Sequence, residues 1–281
     1  MKENWKKYDV KQYGIVKVSV AGLRAQSCYQ SEMVDQILLG TILPLFEMQN
    51  DFYYIQNWDG YWGWINKHAV VVGDRQFAQN WQSAPHVLVR ENSGSVYKTP
   101  DFRERLVDVV PCVVVKKLDE NKEWTRVELP DSSTGWIQNQ LIVDEAQQEK
   151  ISPTPEGIVS IARQFLGLPY LWGGNSTKGF DCSGFVQTVF RLVNIWLPRN
   201  ASQMAKLGAE VSVLEGYKNL HFGDLLFFGN SLFRITHVAL SLGGSLFMHA
   251  EGTVKINSLD PAHELYNEYR HSTFLKARRL L

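Results

Sequence analysis

From Thr154 to Gly167 the apolar residues Ile158, Ile161, Ala162 and Phe165 fall at i, i+3, i+4 and i+7, which predicts a helix with one apolar face. Thr154 stands as its N-cap, Pro155 at the first helical position and Gly167 as its stop. A second helical period, Phe185, Val186, Val189, Phe190 and Val193, follows the glycine-rich stretch Tyr170-Leu171-Trp172-Gly173-Gly174. Upstream of both helices the period shortens to two. Val16–Val20, Phe52–Gln56, Val113–Lys117 and Trp124–Leu129 read as short strands with turn residues between them, the pattern of small β-barrels. Two stretches echo each other, one ending Gly63-Trp64-Ile65-Asn66 and the other Gly135-Trp136-Ile137-Gln138. Their spacing of about seventy residues is too long for a solenoid unit and fits two tandem domains. Residues 145–155 are polar and carry two prolines, as a linker does. The predicted fold class is α+β. Two small β-barrels, residues 1–76 and 77–146, precede a domain over 147–281 in which helices pack on an antiparallel sheet.

Composition narrows the function. The 29 basic and 29 acidic residues cancel, which removes the electrostatic case for nucleic acid or an anionic membrane as partner. The basic segment Lys276-Ala277-Arg278-Arg279 is too short to change this and reads as a solvated or strand-pairing tail. The nine tryptophans fit either ligand-binding surfaces or the cores of small barrels, and the core is the more economical reading. Three cysteines, Cys28, Cys112 and Cys182, do not make a disulfide framework, and Cys28 and Cys112 read as buried thiols. The charged segment Met1–Asp9 lacks the apolar core of a signal peptide, and no run approaches the ~20 apolar residues of a membrane helix. A cytoplasmic location is expected, or an exported one if a leader has been removed.

The chemistry concentrates in Asp181-Cys182-Ser183-Gly184-Phe185-Val186. Cys182 falls where the glycine loop becomes a helix, and unpaired N–H groups and the helix dipole there favour a thiolate. Downstream lie His237, in Thr236-His237-Val238-Ala239-Leu240-Ser241, and His249, in Phe247-Met248-His249-Ala250. Cysteine, histidine and a third polar group are the parts of a thiol hydrolase. Taken singly, Cys182 is also a small buried hydrophobe and either histidine a satisfied core residue. A metal site is disfavoured because no Cys-x-x-Cys or His-x-x-x-His pair occurs around these residues. The hairpin between the histidines imposes a geometric condition. A two-residue Gly243-Gly244 turn would put His237 and His249 on opposite faces, because side chains alternate along a strand. For the two rings to meet, the loop must hold an odd number of residues, and three with a left-handed glycine suffices.

Residues 157–257 resemble the NlpC/P60 family of cell-wall peptidases. The resemblance is carried by Ala162–Gly174, Phe180–Val186, Leu197-Pro198-Arg199-Asn200-Ala201-Ser202-Gln203, Gly223-Asp224-Leu225-Leu226-Phe227-Phe228 and the His237–His249 hairpin, five motifs in the family's order. It implies a papain-like catalytic domain. The two preceding repeats resemble bacterial SH3-like (SH3b) domains, the first more clearly than the second.

The resemblance also implies roles. Cys182 is the nucleophile, His237 the general base and later acid, and His249 the residue that orients His237. Tyr170 matches a tyrosine whose hydroxyl lies beside the nucleophile. The family cleaves next to γ-linked D-glutamate in peptidoglycan stem peptides, whose free α-carboxylate needs donors, and Ser183 and Arg199 are the candidates. Asp181 is a further candidate contact that reads more strongly as a helix cap. Asn200 stands where relatives often carry aspartate, which weakens a charge role at that position. SH3b domains ahead of this catalytic domain are similar to recycling γ-D-glutamyl-L-diamino acid endopeptidases, in which the first SH3b domain closes the cleft and binds the free amine of L-alanine. Glu32 and Tyr61 occupy the positions that look equivalent, and a carboxylate and a phenol are sensible acceptors for an ammonium. The expected partner is thus a peptidoglycan-derived peptide, with no nucleic acid, membrane, metal or cofactor and a monomeric chain. The alternative is an exported hydrolase of intact peptidoglycan that uses its SH3b domains as wall anchors. An acyltransferase on the same fold commonly permutes His and Cys, whereas here Cys182 precedes both histidines.

Overall fold

The computed structural model describes residues 4–281. Met1–Glu3 lie outside the described residues. The chain separates into two compact units, the first ending at Ile151 and the second spanning Ser152–Leu281.

The first unit holds two seven-stranded antiparallel sheets. With strands numbered from the start of each sheet, both have the order 3-2-6-5-4-1-7, so the repeat heard in the Gly-Trp-Ile segments extends to topology. Those segments are equivalent strands, Trp62–Asn66 and Thr134–Gln138. In each the glycine and isoleucine are buried while the tryptophan is half-buried on the other face. One strand differs from expectation. Val16 ends the strand Gln12–Val16 and Val20 begins Val20–Arg24, so the alternation read across 16–20 spans a corner. Val16 at the strand end and Val18 within the bend both reach the core, which imitates a strand period.

A helix, Arg75–Ser83, crosses the expected boundary at 76/77 and packs on the first sheet. Asp74 caps it by accepting from the Phe77 N–H at 2.8 Å. Its Ala78 and Trp81 enter a core with Trp5, Tyr13, Ile15 and Ile42. The two sheets touch through backbone, Val114 N–H donating to the Leu39 carbonyl at 3.3 Å, and the helix adds a side-chain bond beside this from Trp81 Nε1 to the Gly40 carbonyl at 3.1 Å. Gly40 has φ +85°, and a Cβ there would lie 1.9 Å from the Val114 oxygen, so this approach requires glycine. The expected linker is partly structured, since Glu145–Gln148 is a short helix with Gln148 buried.

The second unit is a six-stranded antiparallel sheet with helices packed on it. The strands lie in the order Ala209–Val211, Phe274–Arg279, Phe222–Ser231, Arg234–Leu242, Leu246–Glu251, Thr253–Ser258. Helix Pro155–Arg163 starts as read from the sequence, with Thr154 Oγ1 accepting from the Gly157 N–H at 3.1 Å. Ile158, Ala162 and Phe165 are fully buried, but the helix ends at Arg163, earlier than the stop expected at Gly167, which instead closes the following turn at φ +81°. The basic segment 276–279 is strand-pairing: it sits between two neighbours, and Arg279 holds Asp224 with Nε and Nη2 at 2.8 and 2.7 Å. Among the described residues no helix is long and apolar enough to cross a membrane.

Candidate active site

Cys182 is the first residue of the helix Cys182–Arg191, every residue of which from Cys182 to Phe190 is buried. Asp181 caps this helix, its Oδ1 accepting from the Gly184 N–H at 2.7 Å. The cap is itself locked. The Ser183 hydroxyl donates to Asp181 Oδ1 at 3.1 Å, and Arg199 donates through Nη1 to Asp181 Oδ1 at 3.1 Å and to Ser183 Oγ at 2.8 Å. Arg199 Nη2 closes a second bond to the same carboxylate. Arg199 is only 2% exposed, so its charge is matched beneath the helix start by Asp181. The helix also lies directly on the glycine loop: a Cβ on Gly184 would stand 2.0 Å from the Gly174 carbonyl oxygen. The glycines of this motif therefore bring two backbones together at the thiol.

The helix packs on the strands that carry the two histidines. Their register, Leu240 opposite Met248 and Ser241 opposite Phe247, leaves Gly243-Gly244-Ser245 as the loop. Gly243 and Gly244 both have positive φ, at 81° and 57°. The three-residue loop meets the parity condition, and the two rings stand side by side with His237 Nε2 2.8 Å from His249 Nδ1. His249 Nε2 is 2.9 Å from Asn257 Oδ1 on the next strand. Asn257 was not singled out from sequence. Its signal is the alternation Val254-Lys255-Ile256-Asn257, which puts polar residues on the His249 face only once the pairing of Phe247 with Asn257 is known.

Tyr170 is half-buried in the loop ahead of the helix, its N–H donating to the Gly252 carbonyl at 2.8 Å. Burial first, then the nearby Cys182 and Asp181, push its phenol up to about 12, so it stays a hydrogen-bond donor at neutral pH. Asn200 stands at the start of the short helix Ala201–Met204, where the Gln203 side chain accepts from its N–H at 3.4 Å. In the first unit Glu32 is exposed, and Tyr61 is half-buried against the core of the first sheet. Cys112 is buried as read, whereas Cys28 is half-buried. Among the described residues no cluster of three or more His, Cys, Asp or Glu is placed to hold a metal ion.

The electrostatics correct one expectation. The thiol of Cys182 is pushed up to about 11, not down, because burial disfavours the thiolate and the Asp181 carboxylate repels it. Hydrogen bonds from the Val238 and Ser183 backbone and the Arg199 charge act in the opposite sense but do not prevail. His237 is held well below the usual imidazole value, first by burial and then by His249, Arg270 and Lys255. His249 falls to about 4, again first by burial, with the Asn257 hydrogen bond and Glu251 opposing. These directions leave the thiol and the His237 imidazole both neutral at neutral pH. Alkylation by iodoacetamide is expected to reach the half-buried Cys28 ahead of Cys182 at pH 7. The Cys182 rate should climb about tenfold per pH unit towards pH 11, since the thiolate is the reacting form. Peptide mapping of the alkylated chain across that range checks both points, and a Cys182 rate already on a plateau at neutral pH would contradict them.

Residues 167–279 match the family model described as NlpC/P60 family, and residues 19–71 match the bacterial SH3 domain. The chain therefore carries an NlpC/P60 domain and, ahead of it, a bacterial SH3 domain. It is 28% identical over 266 residues to a protein named dipeptidyl-peptidase 6 from Lysinibacillus sphaericus, with 90% of this chain and 94% of the relative covered. It is also 28% identical over 244 residues to the gamma-D-glutamyl-L-lysine dipeptidyl-peptidase of Bacillus cereus, covering 82% of this chain and 72% of that one. The fold is similar to the crystal structure of an NlpC/P60 family protein from Bacillus cereus, with a TM-score of 0.82, 24% identity and coverage of 96% and 99% of the two chains.

Proposed function

We propose that the protein is a cysteine peptidase that cleaves the γ-D-glutamyl-L-diamino acid bond of short peptidoglycan stem peptides bearing a free N-terminal L-alanine. The observation that carries this reading is the helix-start Cys182 packed against strands on which His237 and His249 are hydrogen-bonded at 2.8 Å. The names of the relatives from Lysinibacillus sphaericus and Bacillus cereus support the peptidase class and the γ-D-glutamyl bond.

In this mechanism His237 takes the Cys182 proton as sulfur attacks the carbonyl carbon. That order suits a pair that is neutral at rest. Backbone N–H groups at the helix start, that of Cys182 among them, receive the oxyanion, and the Tyr170 hydroxyl adds a donor beside it. The C–N bond then breaks with His237 returning the proton to the leaving amine, and water releases the acyl group from sulfur. Ser183 and Arg199 are proposed as donors for the substrate α-carboxylate, a role in which they must exchange part of the bonding they make to Asp181 and to each other for bonds to substrate. Asp181 holds their geometry, and Asn200 shapes the neighbouring turn. The second seven-stranded sheet, sharing its strand order with the first, is read as a second SH3-like domain, and the catalytic unit as papain-like. Glu32 and Tyr61 are proposed as acceptors for the substrate ammonium. A cytoplasmic monomer acting on recycled peptides completes the reading.

The test is mass spectrometry of L-Ala-γ-D-Glu-L-lysine and its diaminopimelate counterpart, each beside an N-acetylated copy. Acylation removes the charge that the acceptors would pair and adds bulk, so kcat/KM should fall by ~10³-fold or more. Equal rates on free and acetylated peptides would favour a hydrolase of intact peptidoglycan instead.

A further inference from the structure

We propose that Asn257 is a positioning residue that sets the proton polarity of the whole histidine pair, through the backbone carbonyl of Leu265. The inference rests on the thiol-peptidase reading above and adds a residue to it. Asn257 Nδ2 is 3.1 Å from the Leu265 carbonyl oxygen, which can only accept, so the amide has one orientation and its Oδ1 faces His249. Asn267 Nδ2 donates to the same Oδ1 at 3.3 Å, which agrees with that orientation. Because Oδ1 can only accept, His249 must carry its proton on Nε2, 2.9 Å away. A neutral His249 then has a bare Nδ1, and His237 must donate to it from Nε2 across 2.8 Å. A neutral His237 is left with a bare Nδ1, the lone pair a base needs. One backbone carbonyl thus fixes the direction of three consecutive hydrogen bonds and makes His237 an acceptor, not a donor, on its free side.

Sheet register builds this line. Asn257 pairs with Phe247 and Lys255 with His249, so Asn257 and His249 lie diagonally on one face. Phe247 pairs with Ser241 on the strand before, so by alternation His249 and His237 fall on one face. The row runs across three adjacent strands. Reversal of the His249 tautomer would force His237 to accept on Nε2 and carry hydrogen on Nδ1, which disables it as a base. Besides His237, the charged groups acting on His249 are Glu251 on its own strand, Lys255 on the next strand and Arg270 from the helix Glu268–Thr273. Arg270 and Lys255 both pair with Glu251.

The test compares Asn257→Leu and Asn257→Asp in the full chain, with tripeptide kinetics and ¹⁵N spectra of histidine-labelled resting enzyme. Asn257→Leu should lower kcat about tenfold with KM unchanged, and His249 should lose its single Nε2–H form. Asn257→Asp loses the bond to the Leu265 carbonyl but keeps an acceptor opposite Nε2, so the single Nε2–H form of His249 should persist in its spectra. Its added charge should move the acid limb of kcat/KM to higher pH by favouring the doubly protonated His249. Parent-like kcat and parent-like tautomers in Asn257→Leu would overturn the inference. If Asn257→Leu fails to fold, an unmoved acid limb in Asn257→Asp overturns it equally. The spectra are read without substrate, so the two claims separate. Cleavage by a Cys182→Ala enzyme sinks the thiol reading alone, and unchanged tautomers beside an inactive Cys182→Ala enzyme sink this one alone.

Discussion

Replacing Cys182 by alanine is expected to abolish tripeptide cleavage, a loss of about 10⁶-fold in kcat, because no other group at the helix start can form a bond to the substrate carbonyl. Ser183 is adjacent, but its hydroxyl is committed to Asp181 and receives Arg199. The variant should stay folded. The helix start is held by the Asp181 cap and the Arg199 clasp, neither of which uses the thiol, so stability should move by about 1 kcal/mol. Steady-state kinetics beside a thermal melt separates loss of chemistry from loss of structure. Cleavage within tenfold of the parent by a folded Cys182→Ala enzyme would remove the thiol from the reaction.

The second large effect belongs to the histidines, and its sign is a difference. His237→Ala is expected to cost about 10⁴-fold or more, because the buried thiol, with its pKa near 11, then has no acceptor for its proton. His249→Ala should cost less, about 10²-fold, since a water in the vacated space can accept from His237 Nε2 and hold part of its orientation. The acid limb should also move in His249→Ala. Removing a buried ring relieves some desolvation of His237, so its pKa should rise towards the ordinary imidazole value and activity should fall at higher pH than in the parent. Equal losses in the two variants, with the same acid limb, would show that His249 does more than orient.

Much of this site was legible in the sequence because its parts obey local rules. The apolar period after Cys182 fixed the helix, and Asp181 three residues before Gly184 supplied its cap. The hairpin parity argument required only the alternation of strands, and it led to the loop Gly243-Gly244-Ser245. What escaped depends on tertiary pairing. Asn257 becomes a partner of His249 only through cross-strand register, and Arg199 becomes the clasp of Asp181 only when the segment before Ala201 folds back beneath the helix. The thiol shift was missed for a related reason. Its local setting at a helix start favours the anion, but complete burial and the capping carboxylate outweigh that preference. In the first unit, Val16–Val20 shows the limit of a period-two reading, because a corner with apolar residues on both sides gives the same pattern as a strand.

The central claim, that Cys182 forms a covalent bond to the acyl half of the substrate, is tested most directly by acid-quenching the enzyme within a single turnover of L-Ala-γ-D-Glu-L-lysine and mapping its peptides by mass. The account predicts a thioester adduct of the L-Ala-γ-D-Glu acyl group on the peptide that carries Cys182, decaying as free dipeptide forms. Release of the dipeptide with Cys182 unmodified at every quench time, together with turnover by the Cys182→Ala enzyme, would contradict it.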